Sequence, residues 1–383
     1  MPLQTSFDWR APTHLVYGPG SIKRLPELVP NKRCLVVTDS GLKSAGIVDH
    51  VCGQLKRGKI DYVVYDKVVG NPPARCVRAG HEIYTSEGCD GIIGLGGGSS
   101  MDVAKMIGVV AANGGRIESY VTPVKIEKPI PHLICVPTTY GTGSEVTPFA
   151  VVTNKRRKTK DAVVGAKIIP PVGILDAELA VALPAAVGGS TGMDALTHAL
   201  ESYINLMATP ITEVMALGAI ELIGENLRLA CSNDHELEAT QNMLNASAMA
   251  ALAFSQTRLG IVHAMSHPVG GHFDVHHGLA NAILLPVVCE YNLTSRLEKF
   301  AHIADALGAD TDGLTEYEAA NVAIDAILDM NRDVGIPERL SQVGVKAPAI
   351  AAMAKDSLLS ANIAVNPRKV DEVGIRQLYK NAL

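Results

Sequence analysis

Five of the twelve histidines crowd into fifteen residues: His263, His267, His272, His276 and His277. Core packing seldom gathers imidazoles this way, because each ring carries two nitrogens that need partners. Neutral imidazole is instead a common ligand for divalent first-row metals. Upstream, Asp194 and His198 stand four residues apart, as do His263 and His267, and that spacing puts both members of each pair on one helix face. His277 follows a glycine-containing bend and can return to the same centre. A carboxylate with several imidazoles suits iron(II) or zinc. The seven cysteines include no CxxC pair, so neither a thiolate zinc site nor a disulfide framework is expected. Spacing alone leaves open which four of these donors would share an ion.

A second kind of chemistry is suggested by Gly94-Leu95-Gly96-Gly97-Gly98-Ser99-Ser100-Met101-Asp102. The run follows an apolar strand pattern and opens a helix expected over 101–112. Consecutive glycines let backbone approach a ligand closely, and the helix start offers free N–H groups to a phosphate. Ser99 is expected to cap that helix. A plain strand-to-helix turn is the bland alternative. The run is not GxGxxG, so the ordinary dinucleotide fingerprint, with an acidic residue about 20 positions later, is absent. Asp39, just past the first strand pattern of the N-terminal half, is the candidate for ribose hydroxyls; helix capping is the competing reading. A third stretch, residues 137–145, is rich in hydroxyls and glycines and also follows a strand pattern.

These residues need elements to position them. Apolar runs at 34–38, 62–65, 91–95 and 133–136 alternate with helical patterns at 47–58 and 74–87, which implies βαβ units and a mainly parallel sheet. Residues 13–17, 149–153 and 172–175 read as further strands, the last two as an antiparallel addition. From Pro184 onward the patterns are long and helical, at 192–206, 210–229, 235–256, 260–270, 279–291, 295–307 and 315–333. The expectation is an α/β dinucleotide-binding domain over 1–183, then an all-α metal-binding domain over 184–383.

Composition narrows the function classes. With 47% hydrophobic and 19% charged residues, the chain reads as globular. A net charge of −5 offers no basic field for nucleic acid, and the run Lys155 to Lys160 reads as a solvated loop. The opening MPLQTSFDWRAP has no basic stretch before an apolar one, and no 18-residue apolar run occurs, so a cytoplasmic, membrane-free protein is expected.

Taken together, GLGGGSSMDVAK (94–105), PTTYGTGSEVT (137–147), TGMDALTHALESY (191–203), GIVHAMSHPVGGHFDVHHGLANAILLP (260–286) and NPRK (366–369) resemble the iron-containing alcohol dehydrogenases, across nearly the whole chain. The resemblance implies a metal, Fe(II) or Zn(II), held by Asp194, His198, His263 and His277. It implies NAD(H) contacts from Asp39, Asn71, Gly97, Gly98, Ser99, Asp102, Thr138, Thr139, Thr142 and Lys160. His267 matches a family histidine beside the metal, a candidate for proton relay or nicotinamide positioning. A homodimer is implied too, with the strand at 13–17 pairing across it. Small alcohols and short aldehydes are the expected substrates, with Phe149 and Phe254 as pocket walls. Arg258 stands where neutral residues are common and raises an alternative, an anionic aldehyde. Two competing classes are a dehydroquinate-synthase-like lyase, which would need more Lys and Arg near the ligand helices, and a metal- or nucleotide-binding protein without catalysis.

Overall fold

The computed structural model describes residues 9–154, 159–232 and 236–383. In the first half, β1 (His14–Tyr17) is followed by the short α1 (Leu25–Leu28), β2 (Arg33–Asp39), the short α2 (Ser40–Ser44), α3 (Ile47–Arg57), β3 (Asp61–Val68), α4 (Ala74–Ser86), β4 (Gly91–Gly96), α5 (Gly98–Asn113) and β5 (His132–Pro137). Then come β6 (Phe149–Asn154), β7 (Thr159–Val164) and β8 (Val172–Leu175). Six strands form one sheet in the order β1-β8-β5-β4-β2-β3, every neighbour parallel. Strands covered on both faces read as unbroken apolar runs, and β2 shows why. Its Leu35 and Val37 join the core formed with α4 and α5, while Cys34 and Val36 join the core formed with α3.

The sequence expectation for 149–153 and 172–175 needs correction. Only the first is antiparallel, pairing with β7 as a separate hairpin, whereas β8 is a parallel strand between β1 and β5. Four residues of VGIL carry no directional signal, so its place depends on the connection and not on local pattern. Residues 155–158 of the basic run lie outside the described residues, and Thr159 and Lys160 belong to β7, not to a loop.

The sheet ends at Leu175, and α6 (Ala185–Ile204) opens the helical half. There follow α7 (Pro210–Ala230), α8 (Leu237–Thr257), α9 (Ile261–Phe273), α10 (His277–Asn292), α11 (Leu297–Ala306), α12 (Glu316–Asp333), α13 (Ile350–Leu358) and α14 (Glu372–Ala382). Small residues let these helices pack closely: Ala195, Ala199, Ala216, Ala219, Ala246 and Ala250 all lie in the core. The parallel sheet with a helical C-terminal half is the expected fold class. Among the described residues, no helix is long and apolar enough to cross a membrane.

Candidate metal centre and cofactor cleft

Three helices converge on one point. α6 carries Asp194 and His198 one turn apart, both buried; α9 carries His263, and α10 begins at His277. Close approach of α10 to α6 requires Gly278: a Cβ there would lie 2.4 Å from the Ser190 carbonyl oxygen and 3.1 Å from Asp194 Cβ. Asp194, His198, His263 and His277 each offer one donor atom, all within 4.8 Å of one another. Asp194 Oδ1 is 3.9 Å from Nε2 of His198, 3.9 Å from Nε2 of His263 and 4.0 Å from Nε2 of His277.

The rings are held from behind. His263 Nδ1 lies 2.6 Å from Glu201 Oε2, while Glu201 Oε1 accepts from the Val262 N–H at 2.7 Å. His198 Nδ1 lies 3.1 Å from the Gly141 carbonyl oxygen. With both Nδ1–H groups so engaged, each Nε2 lone pair faces inward, the arrangement that outer partners impose on metal-binding imidazoles. Burial and the neighbouring histidines push His263 and His277 well below the usual imidazole range. They are therefore neutral at pH 7, as a ligand must be. Burial drives Glu201 up to about 8, against the N–H groups of Gly260, Val262 and His263. Among the described residues no lysine or arginine pairs with Asp194, which faces the three imidazoles and accepts one hydrogen bond, from the Asn281 amide at 2.6 Å. A buried carboxylate facing three lone pairs fits a divalent cation far better than it fits a protein without one.

The other histidines separate from this group. His267 is half-buried beside it, its ring centroid 5.3 Å from that of His277 and 6.3 Å from that of His263. Burial, with Lys160 and His198 adding to it, lowers His267 to about 4. His272 pairs with Asp356 at 2.8 Å, and His276 is exposed at the start of α10.

The carboxyl ends of β2, β4 and β5 bring together three of the sequence features. The strand order reverses between β2 and β4, where open parallel sheets form their ligand crevice. Asp39 ends β2, Gly97 to Ser99 follow β4, and Thr138 to Thr142 follow β5. The two loops touch: the Thr138 N–H donates to Gly96 O at 3.1 Å, and a Cβ on Gly98 would lie 2.8 Å from Thr142 Cγ2. Ser99 is not the cap of α5, because the helix starts one residue earlier and Gly97 occupies the cap position. Asp39 caps α2, its Oδ1 accepting from the N–H groups of Gly41 and Leu42 at 2.8 and 3.1 Å. Asp102 is engaged inside the protein, accepting from Ser144 Oγ at 2.7 Å and from the Val151 N–H at 2.9 Å. It thus ties α5 to the second loop and β6.

Lys160 and Asn71 span the two halves. Lys160 Nζ donates to Asn71 Oδ1 and, at 3.1 Å, to Thr153 Oγ1; Asn71 Nδ2 donates to Asp274 Oδ1 at 2.8 Å. Burial lowers Lys160 to about 8, with Asp274 and Asp102 opposing. Phe254 stacks its ring 4.6 Å from His198 and 6.0 Å from Phe149, forming an aromatic wall beside the donor cluster. Arg258 is not gathered into this wall. The helix ends at Thr257, Arg258 takes φ 65°, and the residue is exposed, so the turn-by-turn phase from Phe254 stops there.

Two residues absent from the sequence expectations belong to the centre. Glu201 lies seven positions after Asp194 and three after His198, and Asn281 lies four after His277. Helical spacing alone puts each on the donor face.

The family model described as iron-containing alcohol dehydrogenase matches residues 12–177, and its C-terminal counterpart matches residues 189–383. The chain is 42% identical over 381 residues to the 1,3-propanediol dehydrogenase of Citrobacter freundii, covering 98% of each. It is 40% identical over 375 residues to the NAD-dependent methanol dehydrogenase of Bacillus methanolicus, covering 97% of this chain and 98% of that one. A crystal structure of a 1,3-propanediol oxidoreductase, 41% identical, superposes with a TM-score of 0.96 over 99% of this chain and 100% of the other. By matches that span both halves, the chain belongs to the iron-containing alcohol dehydrogenase family and is an alcohol dehydrogenase.

Proposed function

We propose that this enzyme interconverts small primary alcohols and short aldehydes with NAD(H) and one divalent ion, iron by preference and zinc by substitution. The observation that carries the reading is the contact between the two ends of the cleft: the second loop, through the Gly141 carbonyl, orients the His198 ring. Asp194, His198, His263 and His277 would hold the ion. When bound, the ion polarises the substrate oxygen and the nicotinamide exchanges hydride with the carbinol carbon.

The chain's own residues do the rest. Gly97, Gly98, Ser99, Thr138, Thr139 and Thr142 receive the pyrophosphate, and the free lone pairs of Asp39 accept from ribose hydroxyls. Lys160 and Asn71 close over the cofactor from the far side, while Asp102 fixes the second loop through Ser144 and β6, the strand paired with that of Lys160, through Val151. His267, neutral and half-buried, is placed to pass a proton between the site and solvent. Phe149 and Phe254 exclude water and limit substrate width. We assign residues 1–183 to cofactor binding and 184–383 to metal binding. The outer edge of β1 is the candidate seam of a homodimer.

An anionic substrate is the second reading, and it depends on Arg258. Its exposed position past the end of α8 favours neutral substrates. The test is a steady-state panel of two- to four-carbon aldehydes, neutral and anionic, with NADH and either Fe(II) or Zn(II). Turnover of neutral aldehydes with stoichiometric NADH loss supports the proposal. Turnover confined to anionic aldehydes and lost in Arg258→Ala would replace it.

A further inference from the structure

Asn281 has an unbalanced set of contacts. It stands one turn into α10 and is fully buried. Its Nδ2 lies 2.6 Å from Asp194 Oδ1, 3.0 Å from His263 Nε2 and 3.2 Å from His277 Nε2, so two amide hydrogens meet three acceptors. Its Oδ1 is equally buried and meets no donor. Buried carboxamides ordinarily satisfy both ends. A half-turn about the Cβ–Cγ bond exchanges nitrogen and oxygen with almost no change of shape. Oδ1 would then occupy the position at those three separations. There it faces a carboxylate and two imidazole lone pairs, an arrangement repelled on every side unless a cation lies among them. Neighbouring ligands at right angles around an ion, with bonds of about 2.1 Å, lie about 3 Å apart. The three separations straddle that value.

We propose that Asn281 is a fifth donor residue of the metal centre, turning its carboxamide oxygen toward the ion and so favouring iron(II) over zinc. The inference rests on reading Asp194, His198, His263 and His277 as the site of that ion. Zinc is content with four ligands in a closed site, whereas iron(II) in mixed imidazole–carboxylate sites uses further positions. A neutral oxygen added to three nitrogens and one carboxylate therefore helps iron more than zinc.

The test compares wild type with Asn281→Ala, Asn281→Leu and Asn281→Asp, measuring Fe(II) and Zn(II) affinity by chelator competition without oxygen. The visible spectrum of each Co(II)-loaded protein reports coordination number. In Asn281→Ala, iron affinity should fall by roughly 10-fold or more while zinc affinity changes much less. Its Co(II) bands should gain the intensity of a four-coordinate ion. Asn281→Asp, which keeps an oxygen, should retain the wild-type spectrum. If the alanine variant does not fold, Asn281→Leu, which fills the volume without an oxygen, is read by the same criteria. An unchanged iron-to-zinc ratio with an unchanged Co(II) spectrum overturns the role of Asn281. A wild-type chain that binds neither ion overturns the cluster reading beneath it.

Discussion

The two ends of the cleft are made of different materials. The proposed metal end consists of side chains from α6, α9 and α10, with Asp194, His198 and His263 buried and His277 half-buried, held by Glu201, the Gly141 carbonyl and Asn281. The cofactor end consists largely of backbone, in turns after β4 and β5 where glycine permits the loops to meet. Removing one imidazole at the first would delete a proposed ligand that its neighbours, fixed on three helices, cannot replace. At the second, no single side chain supplies the recognition, so most substitutions act by crowding. Affinity for the ion should therefore respond steeply to single truncations, and affinity for NAD(H) mainly to added bulk.

The steepest response short of the ligands themselves should come from Glu201→Ala. It frees the His263 ring to rotate or change tautomer, and metal affinity should fall by roughly 10- to 100-fold, measured by chelator competition. Glu201→Gln, which still offers His263 an acceptor, should lose less. Equal affinity in the alanine variant and wild type would mean that the ring is fixed by packing alone.

Acid separates the two ends next. His267 is lowered to about 4 in the folded chain against about 6.5 unfolded, so the unfolded state binds more protons between those values. Stability is then fully present above pH 6.5 and declines as pH falls toward 4, by up to about 3 kcal/mol from this residue, less what its partial exposure screens. His267→Gln should flatten that part of the melting temperature against pH profile. A parallel profile in the variant would show that other groups carry the acid sensitivity.

At the cofactor end, Gly98→Val should push against Thr142 and weaken NADH binding by tenfold or more, about 1.4 kcal/mol, while metal content stays at the wild-type level. Fluorescence titration with NADH reads it. The smallest effect belongs to Asp39→Gly. Its carboxylate already caps α2, so part of the substitution's cost is structural, and the preference for NAD(H) over NADP(H) should relax by a few-fold to about tenfold. Preference unchanged in that variant would mean that Asp39 serves only as a cap.

The same contrast explains what could be read before any coordinates. The donors were legible because Asp, His and helical spacing are local facts: Asp194 and His198 need only one helix to be brought together, whereas His263 on α9 and His277 at the start of α10 meet them through helix packing. Parallel strands β2 to β5 were legible from unbroken apolar runs. The start of α6 was not: the helical pattern begins at residue 192, because Gly188 and Gly189 weaken helix propensity ahead of it. Its glycines are there for contact: a Cβ on Gly188 would lie 2.4 Å from the Tyr140 hydroxyl oxygen, and one on Gly189 would lie 2.7 Å from Val334 O. The direction of β8, the partners of Asp102 and the end of α8 at Arg258 likewise depend on segments distant in sequence. Glu201 and Asn281 lie at helical spacing from the donors, but a carboxamide or a lone glutamate carries no motif of its own.

If one end binds the ion and the other the dinucleotide, the two functions should be separable by a single substitution. His263→Ala tests it most directly, with metal content and NADH affinity measured on the same preparation. The variant should be a folded protein with no bound ion above background, no turnover, and an NADH dissociation constant close to that of wild type. One ion per chain retained in His263→Ala would contradict this expectation.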